Sequence, residues 1–262
     1  MLYNYHTHTY RCNHAYGTEE EYILRALDAG FSELGFSDHA PYFFADRNYV
    51  SSFRMDTDQY HGYVQTLLEL REKYKSRIQL HIGLEAEYYP GIFERNLRYW
   101  LSEPLDYLIL GQHFTNNEED GTYACSPSAM SESVLARYAE QVEEAVSTGL
   151  FTYIAHPDLI MYDRKKPEYR RHMRRICEAA KQADMPLEIN LLGMERGRCY
   201  PNEDFFGLAA ECGNKVIIGF DAHSADEIYS DMVTDAYRKA EDMCARFSLV
   251  RIERPELVRP HM

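Results

Sequence analysis

Eleven histidines occur in the 262 residues, and six of them follow or end short apolar runs. His6 and His8 lie two apart in LYNYHTH, so the period of a strand puts both imidazoles on one face. Asp38-His39 follows LGFS, His113 follows LILGQ, and His156 follows TYIA. Asp221 and His223, again two apart, follow VIIGF, and Glu85 sits in GLEAEYY. A lone histidine at a strand end is ordinarily a hydrogen-bonded structural residue. Here five strand ends carry histidine and a sixth carries Glu85, so that explanation would have to hold at every one of them. A shared metal site accounts for all of them together. Imidazole and carboxylate at this density point to Zn, Mn or Fe, because Ca and Mg prefer all-oxygen shells. Cysteine is absent from the set, which argues against a structural thiolate zinc site. His61, His81, His172 and His261 lie off these positions and read as structural or surface residues.

Such a set needs a scaffold that brings several strand ends to one place. Seven strands are expected, at about Leu2–His8, Glu33–Ser37, Ile78–Glu87, Tyr107–Gly111, Tyr153–Ala155, Leu187–Asn190 and Val216–Phe220. Most are followed by a helical pattern. Thr18 with Glu21 three residues on has capping-box spacing, Ile23, Ala26 and Leu27 then share a face, and Gly30 ends the helix. In the last long helix Met232, Val233, Ala236, Tyr237, Ala240, Met243, Cys244 and Phe247 recur three or four apart, a core-facing stripe. Repeated strand–helix alternation argues for a parallel α/β sheet closed into a barrel, whose C-terminal strand ends converge on one rim.

No repeat, linker or composition break divides the chain, so one domain is expected over 1–262. Forty-five per cent hydrophobic residues suffice for a sizeable core. A net charge of −14 repels phosphate backbones and disfavours nucleic-acid partners. No apolar run is long enough to span a membrane and no signal peptide is evident. The six cysteines, without a CxxC pair, read as reduced thiols of a cytoplasmic protein.

Taken in order, His6-Thr-His8, His14, Asp38-His39, Glu85, His113, His156-Pro157 and Asp221-Ala-His223 resemble the motifs of the PHP (polymerase and histidinol phosphatase) superfamily. FRMD, GLEAEYYPG, LGQHF, IAHPDL and EINLLG are similar in order and spacing to its histidinol-phosphate phosphatase branch, from Tyr3 to about Ala225. The resemblance implies a distorted seven-stranded (β/α)7 barrel, TIM-barrel-like, holding three divalent metal ions. Position by position, His6, His8, Glu85 and Asp221 would hold the first metal. Glu85 would bridge to a second held by His113 and His156, and His14, His39 and His223 would hold the third. His14 lies in a loop and rests on the resemblance alone.

Three divalent cations set against two carboxylates and a hydroxide would leave the pocket near about +3, a local sink for a phosphate dianion inside an acidic protein. The implied activity is metal-dependent phosphomonoester hydrolysis, with histidinol phosphate as the implied substrate. A hydroxide shared by the metals would attack phosphorus in line. Glu85, Asp221 and His223 are the expected catalytic residues, with metal-bound water or a cluster histidine as the acid for the leaving group. Arginines suited to grip phosphate should stand in rim loops. Arg164 after the fifth strand and Arg196 or Arg198 after the sixth fit, although GMERGRCYP carries Glu195 near where the family pattern has an arginine. Asp38, Glu87 and Asp158 are candidates to orient the imidazoles. Aromatics of the 41–56 loop either pack against a substrate or seal the barrel top. Alternative readings are a phosphoesterase of the same fold acting on a sugar phosphate or nucleotide, and a non-catalytic metal-binding module. The oligomeric state is open.

Overall fold

The elements run β1 (Leu2–Asn4), α1 (Glu19–Asp28), β2 (Phe31–His39), α2 (Tyr60–Tyr74), β3 (Gln79–Ala86), α3 (Phe93–Trp100) and β4 (Tyr107–Leu110). They continue β5 (Phe114–Thr115), β6 (Thr122–Tyr123), α4 (Glu132–Ser147), α5 (Pro167–Gln182), β7 (Leu187–Asn190) and α6 (Leu191–Glu195). The last are α7 (Glu203–Cys212), β8 (Lys215–Gly219), α8 (Asp231–Phe247) and β9 (Val250–Arg251). This computed structural model describes residues 2–262, so Met1 of the expected 1–262 unit lies outside the described residues.

Strands β1 to β4 pair side by side in that order, all parallel, and curl into a half-barrel. A second parallel run joins β7, β8 and β9. Ile154 links the two runs through parallel bridges to Leu110 and Leu187, and Thr7 bridges Ala222 beyond the end of β8. The expected strand over Leu2–His8 is regular only to Asn4. The Asn4 carboxamide accepts from His6 N (3.1 Å) and donates to His6 O (3.0 Å), a local bond that competes with the ladder. The expected Tyr153–Ala155 strand is reduced to the single residue Ile154. Two features were not expected, the antiparallel β5–β6 hairpin and β9. Both consist of two-residue strands, too short for a period to register.

The helices follow the sequence signals closely. Thr18 caps α1, with Glu21 N donating to its hydroxyl (3.3 Å) and the Glu21 carboxylate accepting from Thr18 N (2.6 Å). Along α8, Val233, Ala236, Ala240 and Cys244 are buried. Met232 is exposed, contrary to the expected stripe, because each residue turns the helix about 100° and Val233 takes the inward place in that turn.

A large apolar core packs the helices against the sheet, and a small one fills the sheet's concave side with Tyr5, Tyr107, Ile109, Tyr153, Ala155 and Ile217. Tyr107 fits there because Gly35 and Gly83 carry no side chain. A Cβ on either would lie 2.4 or 2.5 Å from the phenol. At the N-terminal end of the strands Glu33 accepts from Tyr5 Oη (2.9 Å) and sits 2.9 Å from His81 Nε2 and 2.7 Å from Arg254 of the C-terminal tail. This floor gives His81 the structural role expected of it.

Candidate metal centre

The site stands at the opposite end, where the strands finish. Asn4 sets its first piece. Besides its bonds to His6, its carboxamide oxygen accepts from Phe220 N (3.2 Å), which ties the His6–His8 segment to the end of β8. His6 and His8 consequently lie side by side, ring centroids 5.2 Å apart. Glu85, near the C-terminal end of β3, is 1% exposed and lies among five imidazoles. Its Oε1 is 2.8 Å from His156 Nε2, 3.5 Å from His6 Nε2 and 3.8 Å from His113 Nε2. Its Oε2 is 2.9 Å from His39 Nδ1 and 3.6 Å from His8 Nε2. Asp221 Oδ1 faces His8 Nε2 at 3.0 Å and His6 Nε2 at 3.4 Å. His14 and His223 point their Nε2 atoms at each other, 3.0 Å apart, because their Nδ1 atoms face the carbonyls of Cys12 and Asp221. All nine expected ligands therefore meet in one place, including the loop residue His14. The backbones of His156 (φ 29°) and Asp221 (φ 55°) take left-handed values uncommon outside glycine, a local cost that the surrounding fold holds in place.

Two absent side chains make room for the carboxylates. A Cβ at Gly111 would lie 1.9 Å from Glu85 Oε1, and one at Gly219 would lie 1.8 Å from Glu188 Oε1. The donor set fits metal ions. His6 Nε2, His8 Nε2, Glu85 Oε2 and His156 Nδ1 are buried without a hydrogen bond, the close carboxylate approaches lying off the bonding direction. Buried polar atoms are rarely left so. Among the triads whose donor atoms lie within 4.8 Å of one another are His6/Glu85/His156, His6/His8/Asp221, His8/His39/His223, Cys12/His14/His223 and His8/Cys12/Asp38.

The electrostatics favour the ligating forms of the carboxylates. Burial alone would raise Glu85 and Asp221, but the surrounding imidazoles outweigh it and hold both carboxyls well below their usual range. Burial pushes His39 and His223 well down and His14 down, with the charge of His8 adding to it, which favours the neutral form of these rings. His6 moves the other way. Burial opposes its charge, yet Glu188, Asp221 and Glu85 raise it to about 10. A cation entering beside His6 would therefore have to displace a proton.

Of the residues expected to orient imidazoles, Asp38 lies 3.3 Å from His8 Nδ1 and is also bonded to the Thr9 hydroxyl. Glu87 accepts from the backbone N–H of His113 (3.1 Å) and Phe114 (3.2 Å) and lies 3.3 Å from His113 Nδ1. Asp158 does not reach the cluster. It is fully buried and accepts from Asn202 N and Nδ2 (2.6 and 2.8 Å), fixing the cap of α7, and burial pushes its carboxyl up to about 7. Three functional side chains escaped the sequence reading. Glu188 lies 2.8 Å from His6 Nδ1 and accepts from His156 N (2.9 Å). Asn190 donates to both Glu188 and Asp221. Arg54, buried, pairs with Glu87 and Glu118 and donates to Ala40 O (2.8 Å). A carboxylate inside the buried strand LEIN is the one signal that pointed to Glu188.

A cavity of about 350 Å³ opens onto the cluster, walled by Phe53, Phe114, Tyr123, Arg196, Arg198 and Tyr200. A larger one of about 660 Å³ lies under the 42–58 loop and includes none of the cluster. The loop aromatics divide between two places. Phe53 packs edge-on against His39 (5.1 Å) in the cavity wall, whereas Tyr42 is buried against Tyr89 and Trp100. Arg198 bonds Tyr200 Oη (2.7 Å) and Arg196 pairs with Glu227 (2.5 Å), both on the cavity wall. Arg164 is elsewhere, half-exposed and 3.6 Å from Asp204. Sequence distance from His156 set its loop but not the direction of its side chain.

The PHP domain family matches residues 4–191, and the chain belongs to that family. Among its relatives, a protein of Deinococcus radiodurans named Probable histidinol-phosphatase is 30% identical over 249 residues, covering 92% of this chain and 93% of that one. The Histidinol-phosphatase of Bacillus subtilis is 24% identical over 254 residues, 85% of this chain and 94% of that one. The fold is similar to that of histidinol phosphate phosphatase from Lactococcus lactis, solved with zinc, L-histidinol and phosphate. The TM-score is 0.72 at 18% identity, with 100% of this chain and 99% of that chain covered.

Proposed function

We infer that the protein is a metal-dependent phosphomonoesterase whose substrate is histidinol phosphate, cleaved with water to histidinol and inorganic phosphate. The observation that carries this reading is Glu85 set among five imidazoles, two of which, His39 and His113, line a cavity whose wall presents two arginines. The kinship to proteins named histidinol-phosphatase supplies the substrate. His6, His8, Glu85 and Asp221 would hold one divalent ion, Glu85, His113 and His156 a second, and His14, His39 and His223 a third, drawn from Zn, Mn or Fe. When bound, such ions lower the pKa of water and offset charge on phosphoryl oxygens.

The chain's own residues do the rest. Arg198 grips the phosphate, its guanidinium steadied by Tyr200, and Arg196 adds a second cation at the mouth. Glu85 and Asp221 stay anionic and draw the cations together. His223 lines the cavity with Asp221, its Nδ1 held by the Asp221 carbonyl, and stands beside the leaving group's path. Glu188 and Asp38 fix the rings of His6 and His8. Phe53, Phe114 and Tyr123 form an apolar wall that narrows water access beside the substrate's organic part.

The scaffold we infer is a seven-stranded barrel, one unit over 1–262, in which Ile154 and the Thr7–Ala222 bridge close the ring between the two parallel runs. Partners are small phosphorylated molecules, in keeping with the charge of −14, with no nucleic acid and no membrane among them. Among the described residues no helix is long and apolar enough to cross a membrane. A cytoplasmic setting suits six free cysteines.

The test is phosphate release from histidinol phosphate, sugar phosphates and nucleotides by protein loaded with Zn, Mn or Fe. Histidinol phosphate should give the highest kcat/KM. A higher value for a sugar phosphate or nucleotide would transfer the site to that substrate. No release from any of them with any of the three metals would leave a metal-binding module.

A further inference from the structure

Cys125 and Cys199 lie 74 positions apart in sequence, yet their Sγ atoms are 3.5 Å apart. Neither thiol is fully buried, and both belong to irregular segments beside the cavity. Cys125 follows β6, two residues after Tyr123 of the cavity wall, and Cys199 sits between Arg198 and Tyr200 of the same wall. The segment around Cys125 is tied to the site on its other side as well, since Ala124 N donates to His113 O (2.7 Å). Met161 N donates to Ala124 O (2.8 Å), and the Cys199 thiol faces Leu159 O (3.4 Å). The two sulfurs thus meet over the loop that follows His156.

We propose that Cys125 and Cys199 form a peroxide-oxidisable dithiol whose disulfide pins together the two rim segments that carry Tyr123 and Arg198. A disulfide needs its sulfurs about 2.05 Å apart, so they must approach by about 1.5 Å. Both flanking segments are loops, which can absorb such a shift. The contact with Cys199, with Arg198 nearby, holds the Cys125 thiol below its ordinary value although burial opposes it, which favours Cys125 as the attacking sulfur.

The chemistry balances with a hydroperoxide as oxidant. The Cys125 thiolate attacks the peroxide, the O–O bond breaks, and water or an alcohol leaves, giving a sulfenic acid. The Cys199 sulfur then attacks that sulfur, the S–S bond forms, the S–O bond breaks and a second water leaves. The two sulfurs together lose two electrons, which the peroxide takes up. Drawing Cys199 toward Cys125 displaces its neighbour Arg198, and drawing Cys125 strains the Ala124–His113 bond. The oxidised form should therefore bind a phosphorylated substrate less well.

The experiment treats zinc-loaded full-length protein with hydrogen peroxide, then maps thiols by differential alkylation and peptide mass. A Cys125–Cys199 linked peptide, lost again on adding dithiothreitol, is the result expected. Kinetics on the same samples should show kcat/KM for histidinol phosphate falling about tenfold, equivalent to about 1.4 kcal/mol, with recovery on reduction. The C125S/C199S double variant should match the reduced enzyme and ignore the peroxide. Absence of the linked peptide overturns the proposal, and so does an unchanged kcat/KM in cross-linked protein or equal peroxide sensitivity in the double variant. The kinetic arm rests on the activity proposed above, whereas the peptide map does not. A protein that releases no phosphate before oxidation refutes that activity and leaves the dithiol to be decided by its cross-link.

Discussion

Individual side chains divide sharply between those that reach the cavity and those that only share its loops. Arg198 walls the cavity beside the cluster, while Arg164 faces Asp204 away from it. Arg198→Ala should raise KM for histidinol phosphate by about tenfold or more, since a charge-assisted bond to phosphate contributes about 1.5–3 kcal/mol. Arg164→Ala should leave KM within twofold, and steady-state kinetics on the pair would reverse the assignment if the two effects were exchanged. Glu188 acts at one remove, through the ring of His6. Glu188→Gln should keep the fold but weaken zinc binding by roughly 10- to 100-fold, read by competition with a chromogenic chelator. An unchanged affinity would reduce Glu188 to packing. Eight of the nine proposed ligands were legible because strand ends in a parallel sheet converge, whereas His14, in a loop, was reached only through the family resemblance. Glu188 was not legible, because one carboxylate in a four-residue apolar strand carries no partner in sequence. The Cys125–Cys199 contact is likewise a product of folding, joining loops that no period or spacing relates.

At the level of elements, helix ends were the clearest features and strand ends the least. The Thr18 capping box appears as the spacing requires. Thr18→Ala should lower stability by about 1 kcal/mol, measured by chemical denaturation, with kcat/KM unchanged because α1 contributes nothing to the cavity. Strands were found but misjudged in length, for a physical reason. Asn4 spends its carboxamide on His6 and Phe220 and so breaks the ladder where alternation alone would continue it. Beyond that break the chain pairs with the end of β8 instead, His8 N donating to Ala222 O (2.9 Å) and Ala222 N to His6 O (3.2 Å), which sets the two imidazoles facing Glu85 and Asp221. The β5–β6 hairpin lies between His113 and α4, and its Tyr123 helps wall the cavity. No strand was expected there, since two residues are too few for a period to register.

Across the whole molecule, charge is arranged in two layers. The chain carries −14 overall, yet its cavity wall holds two arginines above a nest of imidazoles. Without a cation, that nest would hold buried donor atoms that make no hydrogen bond, each a cost to the folded state. Metal should therefore stabilise the fold as well as serve the chemistry. Zinc at a hundredfold excess over its dissociation constant should add about 2.7 kcal/mol per site, seen as a rise in Tm that a chelator reverses. A Tm indifferent to zinc would mean that the cluster does not bind it. The glycines at 111 and 219 bear on how such a molecule could diversify. With no room there for even a methyl group beside Glu85 and Glu188, neither position can drift while those acids persist. Substitutions at Phe53, Phe114 and Tyr123 of the mouth meet no such limit, so preference for one substrate over another can change there while the acids below stay in place.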